Sequence, residues 1–446
     1  MSGPGRTGPQ PGSQGTTGLP VYVPVILSLA LQLLLGLFLG HAYDQRIYMA
    51  TGYLVGTGQN PYIPQDLQSV FQNSTFQGMT SVGYPPPWPL VTGLIYLLSY
   101  RIFPNLLIYN LALKLPIIAA NFALAFLVKA ILDRLGAAPG ASRRAWLFLL
   151  FNPFILIVTT GWGQFDSIVA LLALLALLLL AGGRITFPAA LLALAISFKP
   201  TALPLLPAVF IFLLDRPVSR ILRFFVLSFF FLALFCAGPF LIFHWDLSPI
   251  LHHWNAQFSV GGGMSFMTSL ELIAGSYQLP GLWWLVGMLW VPALAVSALL
   301  LKPGGNGLVD LLKKSTILTL VFFVFRTWLS EPNLVLVLPM LVLLVSLGKL
   351  DARLLAAFWV VPLIFSFFNT SLTQLLFPSL PALMEQLLKE SLAFRIFRLV
   401  SRTAVVVLWL WLEGAIALTL WRQDQIRLDK WGGRLNKLKF RRADSA

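Results

Sequence analysis

Long apolar runs recur along this 446-residue chain and are separated by short segments that carry most of its charge. Several of these runs exceed the roughly 20 residues that an α-helix needs to cross about 30 Å of hydrocarbon. Hydrophobic residues make up 58% of the sequence and charged residues only 11%, so soluble domains would leave too much apolar surface in water. The sequence therefore predicts an all-α integral membrane protein.

The apolar runs predict about 12 transmembrane helices, with both termini in the cytosol. We place these helices at residues 21–40, 106–132, 145–160, 167–182, 185–198, 201–215, 221–243, 281–301, 315–330, 333–348, 354–368 and 403–421. The apolar run 88–103 is short and bounded by prolines, so we interpret it as an interfacial or re-entrant helix in the first external loop. The domain prediction is a disordered cytosolic tail (1–20), a membrane domain (21–421) and a basic cytosolic tail (422–446).

The basic residues indicate the orientation of these helices. If 88–103 does not cross, most of the 31 lysines and arginines fall on one side, which the positive-inside rule makes cytosolic. The external segments are then 40–104, 243–280 and 369–402. If the run did cross, the later basic clusters would change sides and the bias would be lost. The net charge of +15 therefore reflects topology and contact with membrane lipids, and we expect no nucleic acid partner.

The first external loop carries an acid that could act as a base. Asp44 lies about one turn beyond the first apolar run, where a carboxylate could stay ionised and accept a proton from a substrate hydroxyl. Alternatively, it is a solvated loop acid or a partner for Arg46. Asp66 lies deeper in the polar loop, and we expect it to be solvated.

A second polar group precedes the apolar run 167–182. Gln164 and Asp166 could hydrogen-bond sugar hydroxyls from a helix start at the membrane boundary, and Trp162 could stack on a sugar face. The simpler alternatives are that Asp166 only caps the helix and that Trp162 only anchors the chain at the interface.

Two cations lie just inside apolar stretches, where a charge is costly unless it faces a polar cavity or an acid. Lys199 and Arg326 could each bind an anionic phosphate. Alternatively, Lys199 extends to the interface and Arg326 is neutralised by Glu331. Glu331 and Asn333 could position the arginine or contact substrate directly.

The second long external loop contains adjacent histidines, His252 and His253, followed by the glycines at 261–263. This loop could fold over a ligand. Adjacent histidines point in different directions and no further ligand lies nearby, so phosphate contact is favoured over metal binding. We expect neither a metal nor a cofactor. Cys236, the single cysteine, lies in an apolar run, so the external loops contain no disulfide.

Taken in order, these motifs resemble a known family. The chain resembles the membrane glycosyltransferases of the C type (GT-C), most closely the polyprenyl-phosphate-mannose-dependent mannosyltransferases, including the catalytic subunit of the first GPI mannosyltransferase. The resemblance covers roughly residues 20–215 and is carried by Asp44-Gln45-Arg46-Ile47-Tyr48, Asn60-Pro61-Tyr62, Tyr84-Pro85-Pro86, Asn152-Pro153, Gly163-Gln164-Phe165-Asp166 and Phe198-Lys199-Pro200. Ala42 replaces a second acid of the eukaryotic relative, which weighs against a two-carboxylate or metal-dependent scheme.

The resemblance implies transfer of a sugar, expected to be mannose, from a polyprenyl-phosphate carrier to a hydroxyl of an external glycan, lipid or protein. Asp44 would be the base of an inverting displacement, and Lys199, Arg326 and one of His252 and His253 would neutralise the departing phosphate. Arg46 and Tyr84 join the substrate-binding candidates. We expect the cell membrane if the source is prokaryotic, which we favour, and the endoplasmic reticulum if it is eukaryotic.

Two functions without glycosyl transfer stay open at this point. A secondary transporter would suit the number of helices, but transporters of this size usually show paired halves, and no half-chain repeat is visible. The other alternative is a lipid or glycan flippase or a noncatalytic scaffold in a glycan pathway, and it would be favoured if Asp44 were dispensable.

Overall fold

The computed structural model describes residues 20–79, 81–257, 260–270, 273, 278, 281, 284–305, 307–369, 372–380 and 392–424, and most of these are helical. Apart from residues 20 and 422–424, the two predicted tails lie outside the described residues.

The first half of the chain contains nine helices within the described residues, numbered here in chain order. They are α1 (Tyr22–Phe38), α2 (Ala42–Gly56), α3 (Gln68–Phe71), α4 (Pro87–Leu98), α5 (Leu106–Arg134), α6 (Pro139–Phe151), α7 (Pro153–Ile155), α8 (Asp166–Ala181) and α9 (Thr186–Phe198). A π-helical turn at Leu156–Gly161 extends α7, and short 3-10 turns occupy Ser74–Phe76 and Pro200–Ala202.

The second half adds further helices and one small sheet. The helices are α10 (Leu205–Leu213), α11 (Val218–Phe243), α12 (Ser248–Gln257), α13 (Trp284–Gly287), α14 (Trp290–Leu300), α15 (Leu308–Phe325), α16 (Leu338–Ser346), α17 (Ala352–Asn369) and α18 (Leu392–Asp424). Strands β1 (Gly262–Gly263) and β2 (Trp328–Leu329) pair in parallel, and 3-10 turns occupy Glu331–Leu336 and Leu372–Leu375.

The helical membrane architecture predicted from the apolar runs is confirmed. Among the described residues, five helices are long and apolar enough to cross a membrane, and the other apolar helices are shorter, with 10–17 residues. The five are Leu106–Arg134, Pro139–Gly161, Val218–Phe243, Ala352–Asn369 and Leu392–Asp424. The total of about 12 crossings stays a prediction.

Two predicted helix boundaries need correction at the end of the bundle that is predicted to be external. The helix predicted at 315–330 is α15, which ends at Phe325, so Arg326 lies beyond its C-terminus. The helix predicted at 333–348 begins with the 3-10 turn Glu331–Leu336 before α16. Pro332 has no backbone N–H and favours the start of a helical segment, which explains why the chain turns there.

The segment predicted to form the first external loop contains a helix that the apolar pattern did not predict. His41 is the N-cap of α2, and its Nδ1 accepts the backbone N–H of Asp44 at 3.3 Å. The helix packs closely on α4 and α5 at Gly52, where an added Cβ would lie 2.2 Å from the Tyr109 hydroxyl and 2.7 Å from the Thr92 carbonyl oxygen. Interfaces of this kind use small residues because they allow the backbones to approach.

Contacts at the start of α5 support the prediction that segment 88–103 does not cross. The Asn110 side-chain amide donates to the carbonyls of Gly36 and Leu39, at the C-terminal end of α1, both at 2.8 Å. The intervening segment therefore leaves and returns at the same end of the helix bundle. Its apolar helix α4 has 12 residues, a length of about 18 Å, which is shorter than the hydrocarbon core.

The three segments predicted to be external meet at this same end. The Asn60 amide donates to the Asp246 carbonyl at 3.0 Å, joining the first external segment to the second. The Gly40 amide donates to the Leu375 carbonyl at 2.8 Å, joining it to the third. Pairing of β1 with β2 also joins the second external segment to the turn that follows Arg326.

Candidate active site

Asp44 lies in the first turn of α2, where the helix dipole favours an anion. Its side chain is 16% exposed, and its Oδ2 lies 3.2 Å from Nδ1 of His41. The same oxygen accepts hydrogen bonds from the Trp162 indole N–H and, at 2.9 Å, from the Gln164 side-chain amide. Two donors from the segment before α8 therefore hold one carboxylate oxygen, and the His41 ring lies beside it.

The surroundings of Asp44 favour its ionised form. Burial raises the pKa of this carboxyl, but the interaction with the neighbouring His41 ring and the hydrogen bonds from Trp162 and Gln164 lower it by more, so that the net pKa lies below its usual value. Arg46 is not its partner, because the Arg46 guanidinium donates to the backbone carbonyls of Ala42 and Thr75. Asp66 is exposed, as predicted.

A π-helical turn places Trp162 beside Asp44. Asn152 begins the segment by accepting the Ile155 amide on its side-chain oxygen at 3.1 Å, and the Trp162 amide closes it by donating to the Ile157 carbonyl at 2.6 Å. The i→i+5 bond inserts an extra residue into the last turn, which rotates the following side chain. Trp162 also stacks on His41, with ring centroids 4.4 Å apart and planes 18° apart.

Gly163 allows the chain to turn sharply after Trp162. Its φ of +98° lies in a region that side-chain-bearing residues rarely adopt, and an added Cβ would lie 1.7 Å from the Gln45 side-chain nitrogen. The turn directs Gln164 towards Asp44 and starts α8 at Asp166.

Lys199 and Asp166 form a buried ion pair beside Gln164. The Lys199 Nζ lies 2.9 and 2.7 Å from the two Asp166 oxygens and 3.4 Å from the Gln164 Oε1. The two side chains are 7% and 1% exposed, so Lys199 does not extend to the interface and Asp166 does more than begin a helix. The Tyr48 hydroxyl also donates to the Gln164 Oε1, at 3.2 Å.

Aromatic rings form the wall next to this ion pair. Phe165 stacks on Trp88 with centroids 4.3 Å apart, and the half-buried Tyr84 meets Phe165 edge-on at 4.9 Å. The Lys199 Nζ lies 5.5 Å from the centroids of both Tyr84 and Phe165. Tyr84 is therefore brought to the site, whereas Arg46 is engaged with backbone carbonyls.

The segment after α15 brings further predicted residues to this end of the molecule. Arg326 is half-buried over the Phe322 ring at 5.2 Å, and within the described part of the chain no carboxylate lies within ion-pair distance of it. Glu331 is 1% exposed, accepts the Asn369 amide at 2.8 Å, and interacts electrostatically with Arg402 and His41. Neutralisation of Arg326 by Glu331 is therefore not observed.

Asn333 is buried beside Glu331 at 4% exposure, and its side-chain oxygen has no hydrogen-bond partner among the described residues. A buried acceptor without a donor is costly unless a ligand or water satisfies it.

His252 and His253, in the loop predicted to be the second external one, are not joined to this cluster by any described contact. His252 is exposed on α12, and the side chain of His253 lies outside the described residues. Among the side chains that are described, no group of three His, Cys, Asp or Glu residues could hold a metal ion.

Sequence reasoning missed two residues that build the site. His41 escaped notice because its role as an N-cap depends on a helix that the apolar pattern did not reveal. Lys114 is fully buried in α5, and its ammonium donates to the carbonyls of Leu39 and Gly161 at the ends of two helical segments. A lysine within an apolar run was itself a signal, because intramembrane cations are rare outside functional or polar surroundings.

Comparison with known proteins extends these observations. Residues 41–215 match the family model described as the N-terminal domain of alpha-(1->6)-mannopyranosyltransferase. Comparison with curated proteins gave no significant match. A solved structure, ArnT from Cupriavidus metallidurans bound to undecaprenyl phosphate, is 16% identical and aligns with 90% of this chain and 76% of its own, with a TM-score of 0.48. The predicted resemblance to mannosyltransferases is therefore confirmed over residues 41–215 by the family match.

Proposed function

We propose that the protein transfers mannose from a polyprenyl-phosphate carrier to a hydroxyl of a glycan, lipid or protein acceptor outside the cell membrane. The mannosyltransferase family match covers residues 41–215, which include Asp44 and the groups that hold it. The observation that carries the proposal is the Asp44 carboxylate, which accepts hydrogen bonds from Trp162 and Gln164 and lies at the end of the bundle where the predicted external segments meet.

Asp44 has the geometry of a general base. The contacts described above use its Oδ2, which leaves Oδ1 to accept a proton. As the acceptor hydroxyl oxygen bonds to the anomeric carbon, its proton passes to Asp44 and the bond from that carbon to the phosphate oxygen breaks. The electron pair of that bond leaves with the polyprenyl phosphate. A single displacement of this kind inverts the anomeric configuration.

We assign neutralisation of the leaving phosphate to Arg326. Among the described residues it has no acidic partner, and a cation in a low-dielectric site stabilises developing negative charge strongly. Lys199 is less suited to this role because both Asp166 oxygens already neutralise it. We therefore move Lys199 from the phosphate-binding candidates to the groups that position the base.

The remaining candidates contribute to binding of the sugar and the acceptor. Asn333 offers a buried oxygen that a sugar hydroxyl would satisfy, and Glu331 lies on the same 3-10 turn. Tyr84 presents a half-buried ring next to Lys199, where it could contact a sugar face. The predicted role of His252 and His253 in phosphate contact stays a prediction.

The test is transfer of radiolabelled mannose from purified polyprenyl-phosphate-mannose by membranes with matched expression. Asp44→Asn keeps the size of the side chain but cannot accept the proton, so we expect the rate to fall about 10²- to 10⁴-fold. Asp66→Asn, a neutralised exposed acid in the same loop, is the control and should transfer at the wild-type rate. An unchanged rate for Asp44→Asn would refute the base assignment, and solute uptake without any sugar transfer would favour a transporter.

A further inference from the structure

A cavity of about 370 Å³ opens at the basic end of the helix bundle, where α9 and α11 begin. It is lined by Gly183, Ile185, Thr186, Ser219, Arg220 and Arg223. Helix α9 runs from this cavity to Lys199 at the proposed active site, a distance of about 20 Å for its 13 residues. The cavity is therefore separate from that site, and the positive-inside bias predicts that it faces the cytosol.

The cavity has the chemistry of an anion site. Two arginines line it together with two hydroxyl residues, and no carboxylate is among the lining residues. The Arg223 guanidinium donates to the Thr186 hydroxyl at 3.3 Å, which links the first turns of the two helices. Both helices direct their N-terminal ends to the cavity, and these ends favour negative charge.

Two other basic residues on this side have acidic partners. Lys129 pairs with Asp133 at 2.5 Å, and Lys314 pairs with Asp424 at 2.9 Å. In contrast, within the described residues neither arginine of the cavity has a carboxylate at ion-pair distance. Two guanidinium groups that share one cavity repel each other unless an anion lies between them, and phosphate oxygens match the planar guanidinium donors.

The surface next to the cavity on the membrane side is apolar. Leu222 and Val226 lie three residues beyond Ser219 and Arg223, respectively, and so continue the same face of α11. Their side chains are 63% and 61% exposed, and Phe187 at the start of α9 is 67% exposed. A free phosphate ion would gain nothing from these side chains, whereas the acyl chains of a phospholipid would cover them.

We propose that this cavity binds the phosphate headgroup of an anionic phospholipid of the basic-side leaflet, with its acyl chains on the exposed face of α9 and α11. Basic pockets between membrane helices on the cytosolic side bind anionic headgroups by the same combination of charge and depth. The proposal does not depend on the transfer reaction assigned to the opposite end of the molecule.

The experiment measures retained phospholipid by native mass spectrometry on the full-length protein, purified from nanodiscs that contain equal amounts of phosphatidylglycerol and phosphatidylcholine. We expect preferential retention of phosphatidylglycerol by the wild-type protein. The double variant Arg220→Gln, Arg223→Gln should retain it about 25-fold less, because each basic residue near a membrane surface contributes a factor of about five. The control Lys349→Gln, Arg353→Gln removes two exposed charges from another turn of the same side and should retain the wild-type amount.

Three results would overturn the proposal. The first is equal loss of the lipid from the two double variants, which would indicate that general surface charge retains it. The second is retention of the wild-type amount by the double variant at the cavity. The third is displacement of the lipid by inorganic phosphate alone at millimolar concentration, which would indicate a site for free phosphate. If the double variant does not purify, Arg220→Gln alone is measured, with about fivefold weaker retention expected and wild-type retention counting against the site.

Discussion

The amide of Gln164 connects the proposed base to a buried ion pair. Its nitrogen donates to Asp44, while its oxygen faces two donors, the Tyr48 hydroxyl and the Lys199 ammonium. An ammonium has no acceptor, so the Lys199–Asp166 pair holds the amide with its oxygen inward and its N–H₂ group towards Asp44. The pair therefore acts on the base through Gln164, and its charges need not contact the substrate.

Replacing this amide by a carboxylate should change the pH dependence of the reaction. In the wild-type protein the pKa of Asp44 is lowered, so the base is ionised at neutral pH and kcat/KM falls only when the pH drops through that low pKa. Gln164→Glu removes a donor and adds a like charge, and both effects raise the pKa of Asp44. We expect the acidic limb of the pH profile of kcat/KM to move upwards by at least about one pH unit.

The matched control for this profile is Gln68→Glu, which adds the same charge at an exposed position of α3 in the same external segment. Its acidic limb should coincide with that of the wild-type protein. An unshifted limb in Gln164→Glu would show that the amide does not control Asp44.

At the scale of elements, the site depends on features that apolar periodicity does not encode. Helix α2 alternates polar and apolar residues around Asp44, so its sequence resembles a loop until its packing against α4 is known. The π-helical turn before Trp162 contains one more residue than a turn of α-helix, and a hydrophobic pattern does not reveal this insertion. The Asn-Pro and Gly-Gln-Phe-Asp motifs mark the two ends of this irregular segment, which explains why motif order was more informative than periodicity.

Gly163→Ala tests whether this irregular segment needs its glycine. The substitution adds strain from the positive φ and a clash with the Gln45 side chain, so we expect loss of about 1–3 kcal/mol of stability and at least a tenfold lower transfer rate. Gly136→Ala is the control, because its φ of +72° gives similar strain but nothing lies within 4 Å of the added Cβ. Thermal unfolding and mannose transfer are measured on both. Equal effects would show that backbone strain alone matters and that the contact with Gln45 does not.

At the scale of the whole molecule, the sequence predicted what depends on local composition. Apolar runs of sufficient length identified most helices, and the basic clusters predict which ends share a side. The contacts that complete the site could not be predicted in this way, because they join distant segments. The hydrogen bonds of Asp44 with Trp162 and of His41 with Gln374, and the electrostatic interaction of Glu331 with His41, form only when the helix bundle brings these segments together. For the same reason, the sequence suggested that Lys199 binds phosphate, because its ion-pair partner Asp166 lies 33 residues away in the chain.

The side assignment of the entire bundle depends on segment 88–103, and cysteine accessibility tests it directly. Arg101 is exposed in the turn between α4 and α5, at the end where α1 terminates. In a Cys236→Ser background, we expect Arg101→Cys to react with a membrane-impermeant maleimide from the same side as Gln68→Cys in the first external segment. Arg353→Cys, exposed in the first turn of α17, should react only from the opposite side. Labelling of Arg101→Cys together with Arg353→Cys would mean that the segment crosses, and it would reverse the orientation of every later helix, including the cavity at α9 and α11.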